Sequence, residues 1–191
     1  MARQKKKRRS KKMVYVFVEG VTEKTYFDAL RQQLRLTSLK MEILKLDNAG
    51  CNWVEKSLNQ MRNNPNYKRE SNTEVFVVFD KDQLKKTQFD TMLSLAKRND
   101  ISIIFSNISF ELWLLAHFEP ITTANYSLQK TIEKLSQHLS EKYIKANVKQ
   151  IDRLIDNYSS AISNTTTVLN VAYDKQGTNV AEMINKLKNN S

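Results

Sequence analysis

Short apolar runs without polar alternation mark the strands of this chain. Val14–Val18 and Val75–Phe79 consist entirely of β-branched and aromatic residues, and Ile101–Phe105 is interrupted only by one serine. Such runs predict strands buried on both faces, as in a parallel sheet that helices cover. Met41–Leu46 predicts a further, weaker strand between the first two.

Helical periodicity fills the stretches between these runs. Apolar side chains three and four residues apart predict helices from Thr22, as N-cap, to about Leu36, from Trp53 to just before Pro65, and from about Thr87 to Arg98. Strands and helices therefore alternate through residue 105. This alternation indicates an α/β fold with a mostly parallel sheet covered by helices.

The chain changes character after the fourth strand. Ser106–Phe118 leads through a polar turn into a short helix that is apolar nearly all round and is therefore expected to be buried. Within it, Glu111 lies in the first turn, where it is either a charge at the helix N-terminus or a buried carboxylate that needs a cation. For His117 we expect a packed or hydrogen-bonded role rather than metal ligation.

The remaining chain predicts helices and no strand. Amphipathic stripes run along Leu128–Leu139 and Val148–Ile162, and further helices are predicted over Asn164–Tyr173 and from Thr178, as N-cap, to Lys188. Stripes of this kind usually belong to the core of the domain, and a surface for a partner is the less common case.

These patterns divide the chain into three predicted segments. Residues 1–12 are a disordered basic tail, residues 13–120 form the α/β domain, and residues 121–191 form an appended helical region whose last helix packs back on the α/β domain.

Charge is concentrated at the start of the chain. The net charge is +11, and eight basic residues lie in the first twelve positions. Such a block is either an arm that binds nucleic-acid phosphates or a solvated tail without a partner. The basic residues of the tail are Arg3, Lys5, Lys6, Lys7, Arg8, Arg9, Lys11 and Lys12, and Lys81 is a further candidate for phosphate binding.

Cysteine content and hydropathy favour a cytoplasmic protein. Cys51 is the only cysteine, so no disulfide can form within the chain. The apolar run at Val14–Val18 is too short for a signal peptide and ends at Glu19. No stretch reaches the length of a membrane span, so we expect no membrane partner.

Acidic residues follow two of the predicted strands where each strand ends. They are Glu19 and Glu23 after the first strand, and Asp80 and Asp82 after the third. The carboxyl ends of parallel strands lie at one edge of a sheet, where ligands of α/β proteins bind. Four carboxylates there would repel one another unless a cation lay between them. The alternative is that these acids cap turns and helices or are solvated.

Oxygen ligands alone favour Mg²⁺, Mn²⁺ or Ca²⁺ and disfavour zinc, and Mg²⁺ or Mn²⁺ is the cofactor that we expect. One or two such ions can activate water against a phosphodiester, and the basic tail suggests that nucleic acid supplies it.

Three sequence blocks resemble the RloB family and, more broadly, the Toprim domain of topoisomerases, bacterial-type primases and overcoming-lysogenization-defect (OLD) nucleases. The blocks are Val18–Phe27, Val78–Asp82 and Ser106–Phe118, and Gly177–Val180 is similar to the C-terminal signature of the RloB family. The RloB family usually has proline where this chain has Ile108.

The resemblance implies a set of roles for the acids. Glu19 matches a metal ligand or general acid/base, Asp80 and Asp82 match the pair that holds Mg²⁺, and Glu23 matches an added ligand of OLD-type nucleases. Glu111 matches a probable active-site position of the family.

The resemblance also implies a nuclease that cuts DNA or RNA and is the effector of an anti-phage defence system. Similar proteins work beside an AAA-type ATPase. This sequence has no Walker motif, so an ATP-driven step would need that partner. The alternative is a sensor subunit without catalysis that regulates the ATPase. Homo-oligomers are compatible with either interpretation.

Overall fold

The computed structural model describes residues 11–46, 50–67, 69–82, 84–124, 126–169 and 172–190. Five strands and eight helices are formed within these residues. The strands are β1 (Lys12–Val18), β2 (Leu39–Lys45), β3 (Glu74–Asp80), β4 (Ser102–Asn107) and β5 (Gly177–Thr178). The helices are α1 (Val21–Leu34), α2 (Trp53–Asn63), α3 (Lys86–Arg98), α4 (Glu111–Leu115), α5 (Leu128–Leu139), α6 (Val148–Ile155), α7 (Tyr158–Asn164) and α8 (Val180–Asn189).

The strands form one sheet in the order β2-β1-β3-β4-β5. The pairs β2–β1, β1–β3 and β3–β4 are parallel, and β5 alone joins antiparallel to β4. The predicted α/β fold with a mostly parallel sheet is therefore confirmed.

Both faces of the sheet are covered, as the unbroken apolar runs predict. In β1, Val14, Val16 and Val18 face a core that also contains α1, α4 and α8, whereas Tyr15 and Phe17 face a second core with α2 and α3. Side chains alternate between the two faces of a strand, so a strand buried on both sides has no polar alternation.

The helical region is part of the larger core. Leu135 and Leu139 of α5 and Ile151, Leu154 and Ile155 of α6 are buried in the same apolar cluster as the β1 valines. Most residues of the amphipathic stripes therefore belong to the core of the domain, as expected, whereas Val148 is 58% exposed.

Several predicted boundaries in this region are wrong. The stripe predicted as one helix over Val148–Ile162 is two helices, α6 and α7, separated by Asp156 and Asn157. The described part of Asn164–Tyr173 is not a helix beyond Asn164. An apolar stripe records which residues are buried, and it continues across a break when both helices face the same core.

Two predicted helix caps are also wrong. Gly20 and not Thr22 precedes α1, and Asn179 and not Thr178 precedes α8. Thr178 belongs to β5, a strand that the sequence did not predict. Two residues are too few to show a strand period.

Asn179 fastens the last helix to the sheet. Its Oδ1 accepts a hydrogen bond from the Phe105 backbone N–H at 2.8 Å, and its Nδ2 donates to the Ile103 carbonyl at 3.0 Å. The buried amide of Asn179 therefore satisfies the Phe105 N–H and the Ile103 carbonyl at the outer edge of β4, where β5 is too short to pair with them. Beside it, the hydroxyls of Thr178 and Ser106 lie 3.0 Å apart.

None of the described helices combines the length and the apolar character that a membrane crossing requires.

Replacing Asn179 by alanine should destabilise the protein, because it leaves a buried N–H and a buried carbonyl of β4 without partners. We expect a loss of about 2–4 kcal/mol, seen as a melting temperature lower by roughly 5–10 °C in thermal unfolding. The control is Asn185→Ala, which changes an exposed asparagine of the same helix. Equal melting temperatures for the two variants would contradict the role of Asn179.

Candidate active site at the carboxyl edge of the sheet

The carboxyl ends of β1 and β3 form the point where the sheet changes winding direction. The chain leaves β1 toward β2 on one side and then crosses to β3 on the other, and the connecting helices α1 and α2 lie on opposite faces. Such a switch point leaves a crevice beyond the strand ends, which is where open α/β sheets bind ligands.

A cavity of about 380 Å³ opens at this switch point. The loops after β1, β3 and β4 enclose it, and the segment between α5 and α6 closes one side. We call it the acidic cavity, because all five acids that the sequence singled out line it. These are Glu19, Glu23, Asp80, Asp82 and Glu111.

Asp80 lies at the end of β3, with its carboxyl group turned into the protein. Its Oδ2 accepts a hydrogen bond from the Phe110 backbone N–H at 2.9 Å, whereas its Oδ1 is buried without a hydrogen-bond partner. Burial raises the pKa of Asp80 well above its usual range, and the negative charges of Glu23, Glu111 and Glu19 raise it further. The site therefore favours a proton or a cation at this carboxyl.

Glu19 lies beside Asp80 on the neighbouring strand. Its Oε2 accepts a hydrogen bond from the Asp80 backbone N–H at 3.3 Å, which joins the ends of β1 and β3. Burial raises the pKa of Glu19 above its ordinary value, and the charge of Asp82 adds to the effect.

Glu23 folds back from the first turn of α1 toward Gly20. Burial raises its pKa to about 7, and the charges of Glu19 and Glu111 contribute. A Cβ atom at Gly20 would collide with the Glu23 carboxylate. A larger residue at this position would therefore force the Glu23 carboxylate to turn away from its place in the cavity.

Glu111 is 2% exposed and connects the acidic cavity to the helical region. Its Oε1 accepts a hydrogen bond from the Tyr143 hydroxyl at 3.4 Å and lies 3.4 Å from the Lys145 ammonium. Burial, with the charge of Glu111, raises the pKa of Tyr143, so that the phenol stays protonated.

Lys145 is a site residue that sequence reasoning missed. It lines the acidic cavity, and its positive charge also acts on Glu19 and Glu23. It lies in the segment between α5 and α6, which has no helical period to single it out. A basic residue beside a cluster of acids can be recognised only once α6 packs against α1 and brings this segment to the cavity.

Asp82 lies at the exposed rim of the cavity and has a left-handed backbone with φ of 23°. It is the least buried of the five acids, so its carboxylate faces solvent while Asp80 faces inward.

The last residue of the predicted basic arm, Lys12, lies at the amino-terminal end of β1, whereas the acidic cavity lies at the carboxyl end. Residues 1–10, and with them Lys5, Lys6, Lys7, Arg8 and Arg9, lie outside the described residues. Lys11 is exposed, and Lys12, which we predicted to belong to the tail, is the first residue of β1 and pairs with Glu74 at 2.6 Å. The ammonium of Lys81 lies 4.5 Å above the centre of the Tyr173 ring.

His117 has the structural role that we expected. It is 3% exposed, and its Nδ1 lies 3.1 Å from the Trp113 and Leu114 carbonyls, which can only accept. Nδ1 therefore carries the hydrogen, and Nε2 accepts from the Tyr26 hydroxyl at 3.1 Å. Burial lowers the pKa of His117 to about 4, which keeps the ring neutral.

The donor set of the acidic cavity suits a hard divalent cation. Among the described residues, no three Asp, Glu, His or Cys side chains are already arranged around a common metal position. The buried Oδ1 of Asp80 nevertheless has no partner, and the pKa values of Asp80, Glu19 and Glu23 are all raised. A cation would compensate these charges, and carboxylate oxygens are the ligands that Mg²⁺ and Mn²⁺ prefer.

Fold and site together define an α/β protein with a carboxylate-lined cavity at the switch point of a mostly parallel sheet. A family model described as RloB-like protein matches residues 14–187. The chain therefore belongs to the RloB-like family. No curated protein and no solved structure matched the chain.

In the absence of divalent cations, the protein should become less stable as pH rises from about 4.5 to about 7. Glu23 has a pKa of about 7 when folded, against an ordinary 4.5. In this window the folded state binds the extra proton, so the free energy of unfolding falls with increasing pH. Thermal unfolding in EDTA across this range measures the effect.

Glu23→Gln should flatten this pH dependence by a few degrees of melting temperature, because it removes the titrating group. The matched control is Glu133→Gln on the exposed face of α5. A wild-type melting temperature that rises through the window, or equal slopes for wild type and Glu23→Gln, would contradict the assignment.

Proposed function

We propose that this protein is a metal-dependent nuclease of the Toprim type that hydrolyses nucleic-acid phosphodiesters. The observation that carries the proposal is the buried, unpaired Oδ1 of Asp80 in a cavity lined by four further acids. Retaining so much buried negative charge is costly for folding unless a ligand uses it.

Asp80 and Glu23 would hold Mg²⁺ or Mn²⁺, with Asp82 reaching the same place from the rim, and Glu19 would serve either as a further ligand or as the general acid/base. When bound, the metal lowers the pKa of water and neutralises charge on the phosphodiester.

Glu19 is the candidate for proton transfer. It is half-buried at the strand end, and its raised pKa makes it a better base than an exposed carboxylate. In hydrolysis it would take the proton from the attacking water, and the leaving oxygen would later recover a proton from solvent. Lys145, on the other side of the cavity, offers a positive charge to a phosphate oxygen.

Nucleic acid is the proposed source of the phosphodiester. The net charge of +11 favours a polyanionic partner, and the cations of the predicted arm can bind DNA or RNA backbone. The resemblance to OLD-type nucleases supports a role as the effector of an anti-phage defence system. It also supports an AAA-type ATPase as a partner.

The sensor interpretation has less support from the structure. It rests on the amphipathic stripes of the helical region, and most of their apolar residues pack in the core of the domain, whereas Val148 is 58% exposed. Hydrolysis would use the carboxyl groups of the acidic cavity and their raised pKa values, whereas a sensor without catalysis would not need them.

The nuclease proposal is tested with the variants Glu19→Ala and Asp80→Ala. Cleavage of single-stranded and duplex DNA and RNA should require Mg²⁺ or Mn²⁺. Each substitution should lower the rate by roughly a hundredfold or more, because several kcal/mol of transition-state stabilisation depend on the metal site. Gel assays of labelled substrates with added metal or EDTA measure the rate.

Matched controls are Glu133→Ala and Asp152→Ala, which remove exposed acids from α5 and α6. Both should cleave like the wild type. Cleavage that survives in Glu19→Ala and Asp80→Ala alike, or that proceeds equally in EDTA, would refute the proposal.

Gly20→Ala should weaken the site without unfolding the protein. The added Cβ meets the end of the flexible Glu23 side chain, which can turn away at little cost. We expect a melting temperature within about 2 °C of the wild type, together with at least a tenfold higher Mn²⁺ concentration for half-maximal cleavage. Val21→Ala, beside it at an exposed position, is the control. A wild-type metal requirement in Gly20→Ala would exclude Glu23 as a ligand.

A further inference from the structure

We propose that a polar groove beside the acidic cavity binds the phosphodiester backbone of the substrate next to the bond that is cut. We call it the β2 groove, because it begins where β2 ends. Its volume is about 610 Å³. The polar side chains that line it are Lys45, Lys56, Asn59, Gln60, Asn63 and Asn64. The proposal rests on the proposed nuclease function and adds the path of the substrate.

The β2 groove begins one strand away from Glu19. Lys45 is paired in register with Val18, and the Leu46 N–H donates to the Val18 carbonyl at 2.8 Å. Glu19 directly follows Val18, and neighbouring strands lie about 4.8 Å apart. A chain whose phosphate enters the acidic cavity therefore reaches Lys45 within a short distance.

One face of α2 forms the wall of the groove. Lys56, Asn59, Gln60 and Asn63 follow the spacing i, i+3, i+4 and i+7, which places them in one row along the helix. The opposite face, with Val54 and Leu58, is buried. The row extends over about 10 Å at 1.5 Å per residue, which is long enough to contact more than one phosphate.

The chemistry of the row suits the phosphate backbone of a nucleic acid. Lysine ammonium groups and side-chain amides donate hydrogen bonds to phosphate oxygens. None of the described residues lining the groove is acidic, in contrast to the acidic cavity beside it. Lys56 is close enough to Glu19 for their charges to interact, so the positive end of the groove borders the site itself.

Lys12, the last residue of the predicted basic arm, lies far from this groove. Lys12 lies at the opposite end of β1 from Glu19, and seven residues of strand extend over roughly 20 Å. The cations that the fold itself fixes at the acidic edge include Lys45 and Lys56, and these are the groups able to position a phosphate before cleavage.

The test measures binding without cleavage. A short fluorescein-labelled single-stranded oligonucleotide of mixed sequence, as DNA and as RNA, is titrated in EDTA by fluorescence anisotropy at several salt concentrations. Lys45→Ala/Lys56→Ala should weaken affinity about tenfold. The slope of log K against log salt should fall in magnitude by about 1.4, because each lost contact with a single strand contributes about 0.7.

The matched control is Lys40→Ala/Lys97→Ala, which removes the same charge from the opposite edge of the sheet. Lys40 lies near the start of β2 and Lys97 in the last turn of α3. This variant should bind within about twofold of the wild type with an unchanged salt slope. Lys45→Arg/Lys56→Arg should restore binding.

Lys56 donates a hydrogen bond to the Gly50 carbonyl at 3.2 Å, so Lys56→Ala also removes a contact within the fold. A second variant therefore separates loss of the groove from a local folding defect. Asn59→Ala/Asn63→Ala removes two exposed amides and no charge, so it should lower affinity and leave the salt slope unchanged.

The outcomes separate the two proposals. Wild-type affinity in the groove variants, equal losses in the groove and control pairs, or no binding by the wild type would overturn the groove. If the groove variants lose binding but the wild type never cleaves, the groove stands and the nuclease proposal fails. If cleavage depends on Asp80 but not on the groove lysines, the reverse holds.

Discussion

The structure depends on one electrostatic conflict at the ends of β1 and β3. Parallel pairing of these strands brings Glu19 and Asp80 to the same edge of the sheet, and a hydrogen bond from the Asp80 backbone to Glu19 joins them there. The carboxyl of Asp80 is then buried with one oxygen unpaired. Burial and like charge both disfavour ionisation. The carboxyl groups therefore stay protonated to higher pH in the folded protein than in the unfolded chain, where water surrounds them.

The rest of the fold prevents the repelling carboxyl groups from moving apart. The strands that carry the acids are buried on both faces, so they cannot move apart without exposing two apolar cores. Phe110 donates to Asp80 from the start of α4, and Tyr143 and Lys145 hold Glu111 from the helical region. The helices beyond the α/β unit therefore do more than extend the core, because they complete one wall of the site.

Sequence reasoning was effective where burial leaves a repeating pattern. The unbroken runs at β1 and β3 predicted both the parallel sheet and the edge at which the acids meet. Sequence reasoning was ineffective where a feature is shorter than one period of the hydrophobic pattern, or where it depends on packing between residues far apart in the sequence. β5 has two residues, and the break between α6 and α7 leaves the apolar stripe intact. Lys145 acquires its surroundings only when α6 packs against α1.

The raised pKa values also determine how a cation would bind. A metal coordinates ionised carboxylates, so its binding near neutral pH must release the proton that Glu23 retains, and the raised pKa of Asp80 acts in the same direction. Affinity therefore increases with pH across the range in which the metal-free protein loses stability. A site with exposed acids would show neither trend near neutrality, because its carboxylates would already be ionised. The burial that makes these carboxylates costly for folding is thus the same property that makes a cation effective there.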